Sequence, residues 1–129
     1  MKYLLDTNVI IRHFAQISPI GKKAKEIIRE AEQSKHTLII SVISLMEIMY
    51  LFEKKRIPIS LNEIVNQIQQ KQCYSIIELN IEILKVAESI QFYELHDRLI
   101  LGTAKFLDIP ILSSDSKFNS LKEITTIWN

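Results

Sequence analysis

The feature that most constrains the fold of this chain is an alternation between short apolar runs and longer amphipathic segments. The short runs are rich in aliphatic and β-branched residues and lie at 3–5, 37–40, 75–78, 111–112 and 125–127. Runs of this kind are typical of strands that are covered on both faces. Segments with apolar residues at helical spacing lie at 21–32, 44–55, 61–70, 81–92 and 98–107. Strands that alternate with helices predict a parallel, doubly wound α/β sheet.

The length of the chain predicts one domain that spans residues 1–129, because 129 residues support one hydrophobic core and leave no room for a second. Hydrophobic residues make up 47% of the sequence, enough to form that core without covalent staples. Cys73 is the only cysteine. This excludes an intramolecular disulfide and a cysteine-rich zinc site, and it fits a reducing compartment.

The hydropathy pattern argues against a membrane protein. The longest uncharged apolar stretch runs from Thr37 to Met46, which is half of the roughly 20 residues that a spanning helix needs. The amino terminus begins like a signal peptide, but Asp6 interrupts its apolar part. We therefore expect a cytoplasmic protein that does not bind a membrane.

Glycine content and net charge exclude further classes of protein. Gly21 and Gly102 are the only glycines, so neither the glycine-rich dinucleotide fingerprint nor a P-loop is present, and nucleotide cofactors are not expected. The net charge of +1 gives no general attraction for nucleic acids. Any polyanionic partner must therefore be recognised by local features.

Four acidic residues fall where a parallel sheet places its ligands, at the carboxyl ends of strands and the starts of the following helices. They are Asp6, Glu47, Asp97 and Asp115. Taken singly, each has a structural explanation. Asp6 and Asp97 are suited to helix N-caps, Ser44 and Glu47 have the spacing of a capping box, and Asp115 suits a turn.

Taken together, the four acids favour a metal site. Carboxylates that gather at one edge of a sheet repel one another, and no lysine is directly adjacent to any of the four acids. A hard divalent cation such as Mg²⁺ or Mn²⁺, which prefers carboxylate oxygen and water, is the simplest compensation. Such a site is suited to the hydrolysis of phosphodiesters.

The four motifs resemble those of PIN-domain ribonucleases, and most closely the VapC-type toxins of toxin–antitoxin pairs. The resemblance covers essentially the whole chain and is carried by Leu4-Leu5-Asp6-Thr7-Asn8, Ser41-Val42-Ile43-Ser44-x-x-Glu47, His96-Asp97-Arg98-Leu99-Ile100-x-x-Thr103-Ala104 and Leu112-Ser113-x-Asp115-x-x-Phe118. It implies a three-layer α/β/α sandwich around a central parallel sheet of about five strands. It also implies a Mg²⁺- or Mn²⁺-dependent endoribonuclease that acts on RNA, a homodimer, and a cognate antitoxin that covers the site.

The resemblance also assigns roles to individual residues. Asp6, Glu47, Asp97 and Asp115 match the acidic quartet that binds the metal and carries catalysis. Asn8 matches a polar residue that organises the site, and Ser113 matches the Ser or Thr that orients the last acid. No further acid is assigned, and Asp108 is interpreted as a loop residue.

Two other sets of residues are candidates for contacts with partners. Arg12, His13 and Arg98 are candidates for RNA-phosphate contacts, although exposed helix positions or ion pairs explain them equally simply. Met46, Met49, Tyr50 and Phe52 offer an apolar groove to an antitoxin helix, whereas a core stripe is the more common explanation for such spacing.

Two alternative functions stay open from the sequence. One is a PIN-like module that binds RNA or protein without cutting, which an acid pointing away from the pocket would favour. The other is a phosphoacceptor or phosphatase on a similar sheet, but its usual pattern needs a second acid where Asn8 stands. The sequence does not specify the RNA target.

Overall fold

The computed structural model describes residues 1–92 and 94–129, and its centre is one five-stranded sheet. The strands are β1 (Lys2–Leu5), β2 (Thr37–Ser41), β3 (Tyr74–Ile77), β4 (Ile111–Leu112) and β5 (Thr126–Ile127). Their order in the sheet is β3-β2-β1-β4-β5, and each neighbouring pair is parallel. The predicted parallel sheet of about five strands is confirmed.

Six α-helices connect the strands within the described ranges. They are α1 (Thr7–Ala15), α2 (Lys22–Glu32), α3 (Val42–Glu53), α4 (Leu61–Gln69), α5 (Ile81–Glu88) and α6 (Leu95–Leu107). A short 3₁₀ helix, Ser116–Ser120, follows β4.

Alternating strand residues face two separate helical layers, because successive side chains of a strand point to opposite faces. Tyr3 and Leu5 pack in one buried cluster with residues of α1, α2 and α4. Leu4 lies in a second cluster, formed with residues of α5 and α6. The strands of such a sheet are buried on both faces and need continuous apolar runs. The predicted three-layer α/β/α sandwich is confirmed.

A glycine in the middle of α6 allows close contact between α5 and α6. A Cβ atom added at Gly102 would lie 2.9 Å from the Cβ of Ala87, which is closer than real Cβ atoms approach. The tight approach at Gly102 is therefore to α5. The absence of a side chain is thus required by a helix neighbour.

Helix α1 is missing from the sequence prediction. Val9, Ile10 and Ile11 are consecutive and all buried, so the segment lacks the helical spacing of apolar residues that marks the other helices. The helix begins directly after Asp6, whose Oδ1 accepts a hydrogen bond of 2.8 Å from the Thr7 N–H. The N-cap interpretation of Asp6 is therefore correct, and it does not exclude a second role.

Two other capping predictions are wrong. Helix α3 begins at Val42, because Ser41 is its N-cap and accepts a hydrogen bond from the Ile43 N–H at 3.0 Å. Ser44 is buried inside the first turn, and Ser44 with Glu47 forms no capping box. Helix α6 begins at Leu95 with Glu94 as its N-cap, so Asp97 lies in the first turn and does not cap the helix.

Candidate active site

The carboxyl ends of β1 and β4 bring Asp6 and Ser113 together. Leu5 pairs with Leu112 in the parallel ladder, and the Asp6 N–H donates to the Leu112 carbonyl at 3.0 Å. The buried Ser113 hydroxyl donates to Asp6 Oδ2 at 2.7 Å. Asp6 is only 7% exposed, so these bonds hold its carboxylate in one orientation.

Ser113 also positions the next acid along the chain. Its Oγ accepts a hydrogen bond of 3.0 Å from the Asp115 N–H. The Asp115 Oδ1 in turn accepts from the Lys117 N–H at 2.9 Å and caps the short 3₁₀ helix. One serine therefore links Asp6 to the turn that carries Asp115.

Thr7 connects Glu47 to this edge of the sheet, although the sequence analysis gave Thr7 no role. Its Oγ1 lies 2.8 Å from Glu47 Oε1 and 2.9 Å from Ser44 Oγ. One hydroxyl carries one proton, and an ionised carboxylate only accepts. Thr7 therefore donates to ionised Glu47, and Ser44 donates to Thr7. Thr7 and Ser44 are both buried, so this relay fixes one oxygen of Glu47.

The first turn of α6 supplies Asp97 and an additional acid, Glu94. Glu94 Oε2 accepts a hydrogen bond of 2.9 Å from the Asp97 N–H, and Glu94 Oε1 lies 3.0 Å from His96 Nδ1. The carboxylate of Glu94 raises the pKa of both Asp97 and Glu47. Glu94 is not among the four acids predicted from the sequence. Its spacing three residues before Asp97 is the only available signal, because Glu is not among the preferred N-cap residues.

The pKa values show that the four predicted acids share one electrostatic environment. Burial raises the pKa of Asp6, and the charge of Asp115 raises it further. Hydrogen bonds from Ser113 and Thr7 lower this pKa but are outweighed. Burial also raises the pKa of Glu47, while the Thr7 hydrogen bond opposes the rise. The largest effect is at Asp97, whose pKa rises to about 7. Burial contributes most to that rise, followed by the charges of Asp6, Glu94, Asp115 and Glu47.

The chemistry of this donor set fits a hard divalent cation. Asp6, Glu47, Asp97 and Asp115 offer carboxylate oxygens, and no lysine or arginine of the described chain lowers the pKa of the first three. A bound Mg²⁺ or Mn²⁺ would supply the missing positive charge. Across residues 1–92 and 94–129, however, no group of three or more His, Cys, Asp or Glu side chains is spaced to hold a metal ion. Holding three or more of these carboxylates on one cation would therefore require them to move closer together, whereas one or two carboxylates with water can hold Mg²⁺.

Within the described residues, Asn8 and two of the basic candidates form no hydrogen bond to the four acids. Asn8 is exposed in the first turn of α1. Arg12 donates to the Pro19 carbonyl at 3.4 Å and lies over the ring of Trp128. His13 Nε2 lies 2.9 Å from the hydroxyl of Tyr74, which begins β3 at the amino edge of the sheet. The structure thus places Arg12 and His13 in the last turn of α1, away from the edge of the sheet at which Asp6 begins the helix.

Arg98 has a structural contact of its own. Its Nε and Nη2 donate to the Ala87 carbonyl at 3.3 and 3.2 Å, and Nη2 also donates to the Glu88 carbonyl at 3.3 Å. These carbonyls end α5, which stops at Glu88 and not at the predicted residue 92. A cation at a helix C-terminus satisfies free carbonyls and interacts favourably with the helix dipole.

Several apolar side chains of α3 face solvent. Met46, Met49, Tyr50 and Phe52 are between 40% and 51% exposed, so the core explanation is wrong for these residues. Val42 lies four residues before Met46 and is also exposed, which extends the stripe towards the start of α3. Exposed apolar groups at helical spacing are typical of a protein-binding surface.

Asp6, Glu47, Asp97 and Asp115 form a carboxylate cluster. The fold and this cluster define an α/β protein with an acidic site at the carboxyl edge of a parallel sheet. The PIN domain family model matches residues 3–124, and the chain belongs to the PIN domain family. No curated protein matches the chain. In the part of the chain that the structure describes, no helix has the length and hydrophobicity needed to cross a membrane.

Several solved structures share the fold. One is VapBC2 from Rickettsia felis bound to a promoter DNA fragment, with a TM-score of 0.74, 16% identity and full coverage of both chains. Another is DNA-bound VapBC from Salmonella typhimurium, with a TM-score of 0.73, 18% identity and coverage of 98% of this chain and 97% of that chain. A toxin–antitoxin complex from Klebsiella pneumoniae has a TM-score of 0.66, 22% identity and 96% coverage of each chain.

Proposed function

We propose that the chain is a Mg²⁺- or Mn²⁺-dependent endoribonuclease and the toxin of a toxin–antitoxin pair. The observation that carries this proposal is the shared environment of Asp6, Glu47, Asp97 and Asp115, in which burial and the neighbouring carboxylates together raise the pKa of Asp97 to about 7. PIN domains are generally nucleases, and VapBC complexes share this fold. Both facts support the proposal.

The residues of the chain have distinct tasks in the proposed reaction. Asp6, Asp97, Asp115 and Glu47 would hold the cation, which when bound polarises the scissile phosphate and lowers the pKa of an attacking water. Ser113 orients Asp6 and the turn at Asp115 through its two hydrogen bonds. Thr7 holds one oxygen of Glu47. Asp97 must lose its proton before it binds a cation, so metal binding should strengthen as the pH rises through 7.

The proposed protein partner is an antitoxin. The exposed stripe of α3 supports such a partner, since apolar side chains at helical spacing suit a helix laid along the surface. The similar structures named above are themselves of VapBC or toxin–antitoxin complexes. Formation of a homodimer stays a prediction.

Metal dependence is the direct test of the nuclease. The metal-free chain should leave a labelled single-stranded RNA intact in EDTA and should cleave it when Mg²⁺ or Mn²⁺ is added. Gel analysis of the products over time measures both states. Undiminished cleavage in excess EDTA would overturn the proposal. An Asp6→Asn preparation made in parallel is the control, because its failure to cleave RNA excludes a contaminating nuclease.

Expression in cells tests the toxin. Production of the chain alone should arrest growth, and Asp115→Asn should relieve the arrest. The amide keeps an oxygen that accepts from the Lys117 N–H, and Asn caps as well as Asp, so the substitution removes charge without removing the cap. Growth curves and immunoblots at matched protein levels give the result. If cells tolerate the wild type and Asp115→Asn equally, the toxin assignment is wrong. The proposed nuclease activity is not contradicted by that result.

A further inference from the structure

A cavity of about 750 Å³ lies between the end of α5, the start of α6 and the short 3₁₀ helix. Its lining includes one acid, Glu88, together with Phe92, Arg98, Ser116, Lys117 and Ser120. Arg98 directly follows Asp97, while Ser116 and Lys117 directly follow Asp115. The Lys117 N–H also donates to Asp115 Oδ1. Two walls of the cavity are therefore built by the same turns that hold two of the acids.

We propose that this cavity binds the RNA nucleotide next to the scissile phosphate, with Arg98 and Lys117 on its phosphate and Phe92 against its base. The inference rests on the proposed function, because it places the substrate of that same site. It assigns a positioning role and adds no chemical step.

The charge of the acids favours cationic side chains beside the site. An RNA strand that approaches a carboxylate cluster is repelled, and the net charge of +1 provides no compensating long-range field. Cationic side chains that flank the acids would reduce this repulsion beyond what a bound metal ion does. Arg12 and His13 are at the other end of α1, and His96 contacts Glu94. Arg98 and Lys117 are the cations whose chain positions adjoin the acids.

The contacts of Arg98 prepare it to bind a phosphate. Three of its donor contacts go from Nε and Nη2 to the carbonyls that end α5, so the plane of the guanidinium is fixed. Its Nη1 makes no hydrogen bond to the rest of the described chain and is left for a ligand. An immobilised guanidinium loses little entropy when it binds a phosphate.

Lys117 and Phe92 supply the other two parts of the site. Lys117 is exposed and forms no ion pair within residues 1–92 and 94–129. Phe92 is half-buried and is held by an edge-to-face contact with Phe118, at 5.5 Å between ring centroids. A fixed aromatic ring beside cationic groups is the usual combination for single-stranded nucleic acid, because every base has a face to stack.

The test separates substrate binding from the chemical step. Lys117→Ala should raise KM for a single-stranded RNA oligonucleotide by about tenfold and leave kcat within twofold, because it removes an interaction made equally before and during reaction. The slope of log(1/KM) against log salt should fall by about 0.7, as expected for one lost phosphate contact. Lys117→Arg should restore most of the affinity. Phe92→Leu, which keeps an apolar contact with Phe118, should also raise KM.

Lys122→Ala is the matched control, since it removes the same charge from an exposed lysine of the same segment outside the cavity. It should leave KM and the salt slope unchanged. Equal effects at Lys117 and Lys122, or no effect at either, would overturn the inference. The proposed function would still stand in that case if the wild type cleaved RNA in a Mg²⁺-dependent manner. A wild type that never cleaves RNA would instead remove the proposed function.

Discussion

Asp97→Asn should reduce Mg²⁺-dependent RNA cleavage by more than about 100-fold, since removing a group that merely orients a metal ligand already costs 10- to 100-fold. The carboxylate of Asp97 is the one on which the charges of Asp6, Glu94, Asp115 and Glu47 all act. An amide of nearly the same shape removes that charge. The helix start is retained, because Glu94 is the N-cap of α6. Initial rates on a labelled RNA at fixed Mg²⁺ measure the loss.

Two further variants turn this prediction into a ranked series. Ser113→Ala should lose about 10- to 100-fold, because Ser113 orients Asp6 and the turn of Asp115 without being an acid of the site. Asp108→Asn should cut like the wild type. Asp108 is exposed, ends α6 in the left-handed conformation at φ 55°, and Asn tolerates that conformation. An Asp97→Asn rate above a tenth of the wild-type rate would contradict the assignment of Asp97.

The positions of the acids were predictable because of the sheet. Leu5 and Leu112 end neighbouring parallel strands, and parallel strands bring their carboxyl ends to one edge. Asp6 and Ser113 follow those residues directly, so their proximity follows from the strand assignment alone. The hydrogen bond of 2.7 Å between them is the local detail that the structure adds.

The parts that sequence reasoning missed depend on contacts between distant segments. The Thr7 hydroxyl acquires its role because α1 packs beside α3, which places Glu47 and Ser44 within its reach. Glu94 caps α6 although its residue type is not a preferred cap, so local propensity predicted the wrong start. His13 falls at the far end of α1, and its nearness in sequence to Asp6 was therefore misleading.

The stability of the metal-free protein should decrease as the pH rises from about 4 to about 7 because of Asp97. The pKa of Asp97 is about 7 in the folded chain against an ordinary value of 3.8. Between these values the folded protein keeps a proton that the unfolded chain has already released, so a rise in pH favours unfolding. Burial raises the pKa of Asp6 and Glu47 in the same direction.

Asp97→Asn isolates this contribution because the amide has no proton to lose. In metal-free buffer the variant and the wild type should have similar free energies of unfolding at about pH 4, and the variant should be more stable at about pH 8. The loss of an acid from the first turn of α6 opposes this by only about 0.3–1 kcal/mol. Urea titrations at the two pH values, with Asp108→Asn as a charge-matched control, measure the difference.

Addition of Mn²⁺ at about pH 8 should then reverse the ranking. The cation stabilises the folded state in proportion to its affinity for it, and that affinity needs the ionised Asp97. The wild type should therefore gain more than Asp97→Asn, while Asp108→Asn gains as much as the wild type. A metal-free Asp97→Asn that is less stable than the wild type at both pH values would show that Asp97 supports the scaffold, because relief of repulsion has the opposite sign.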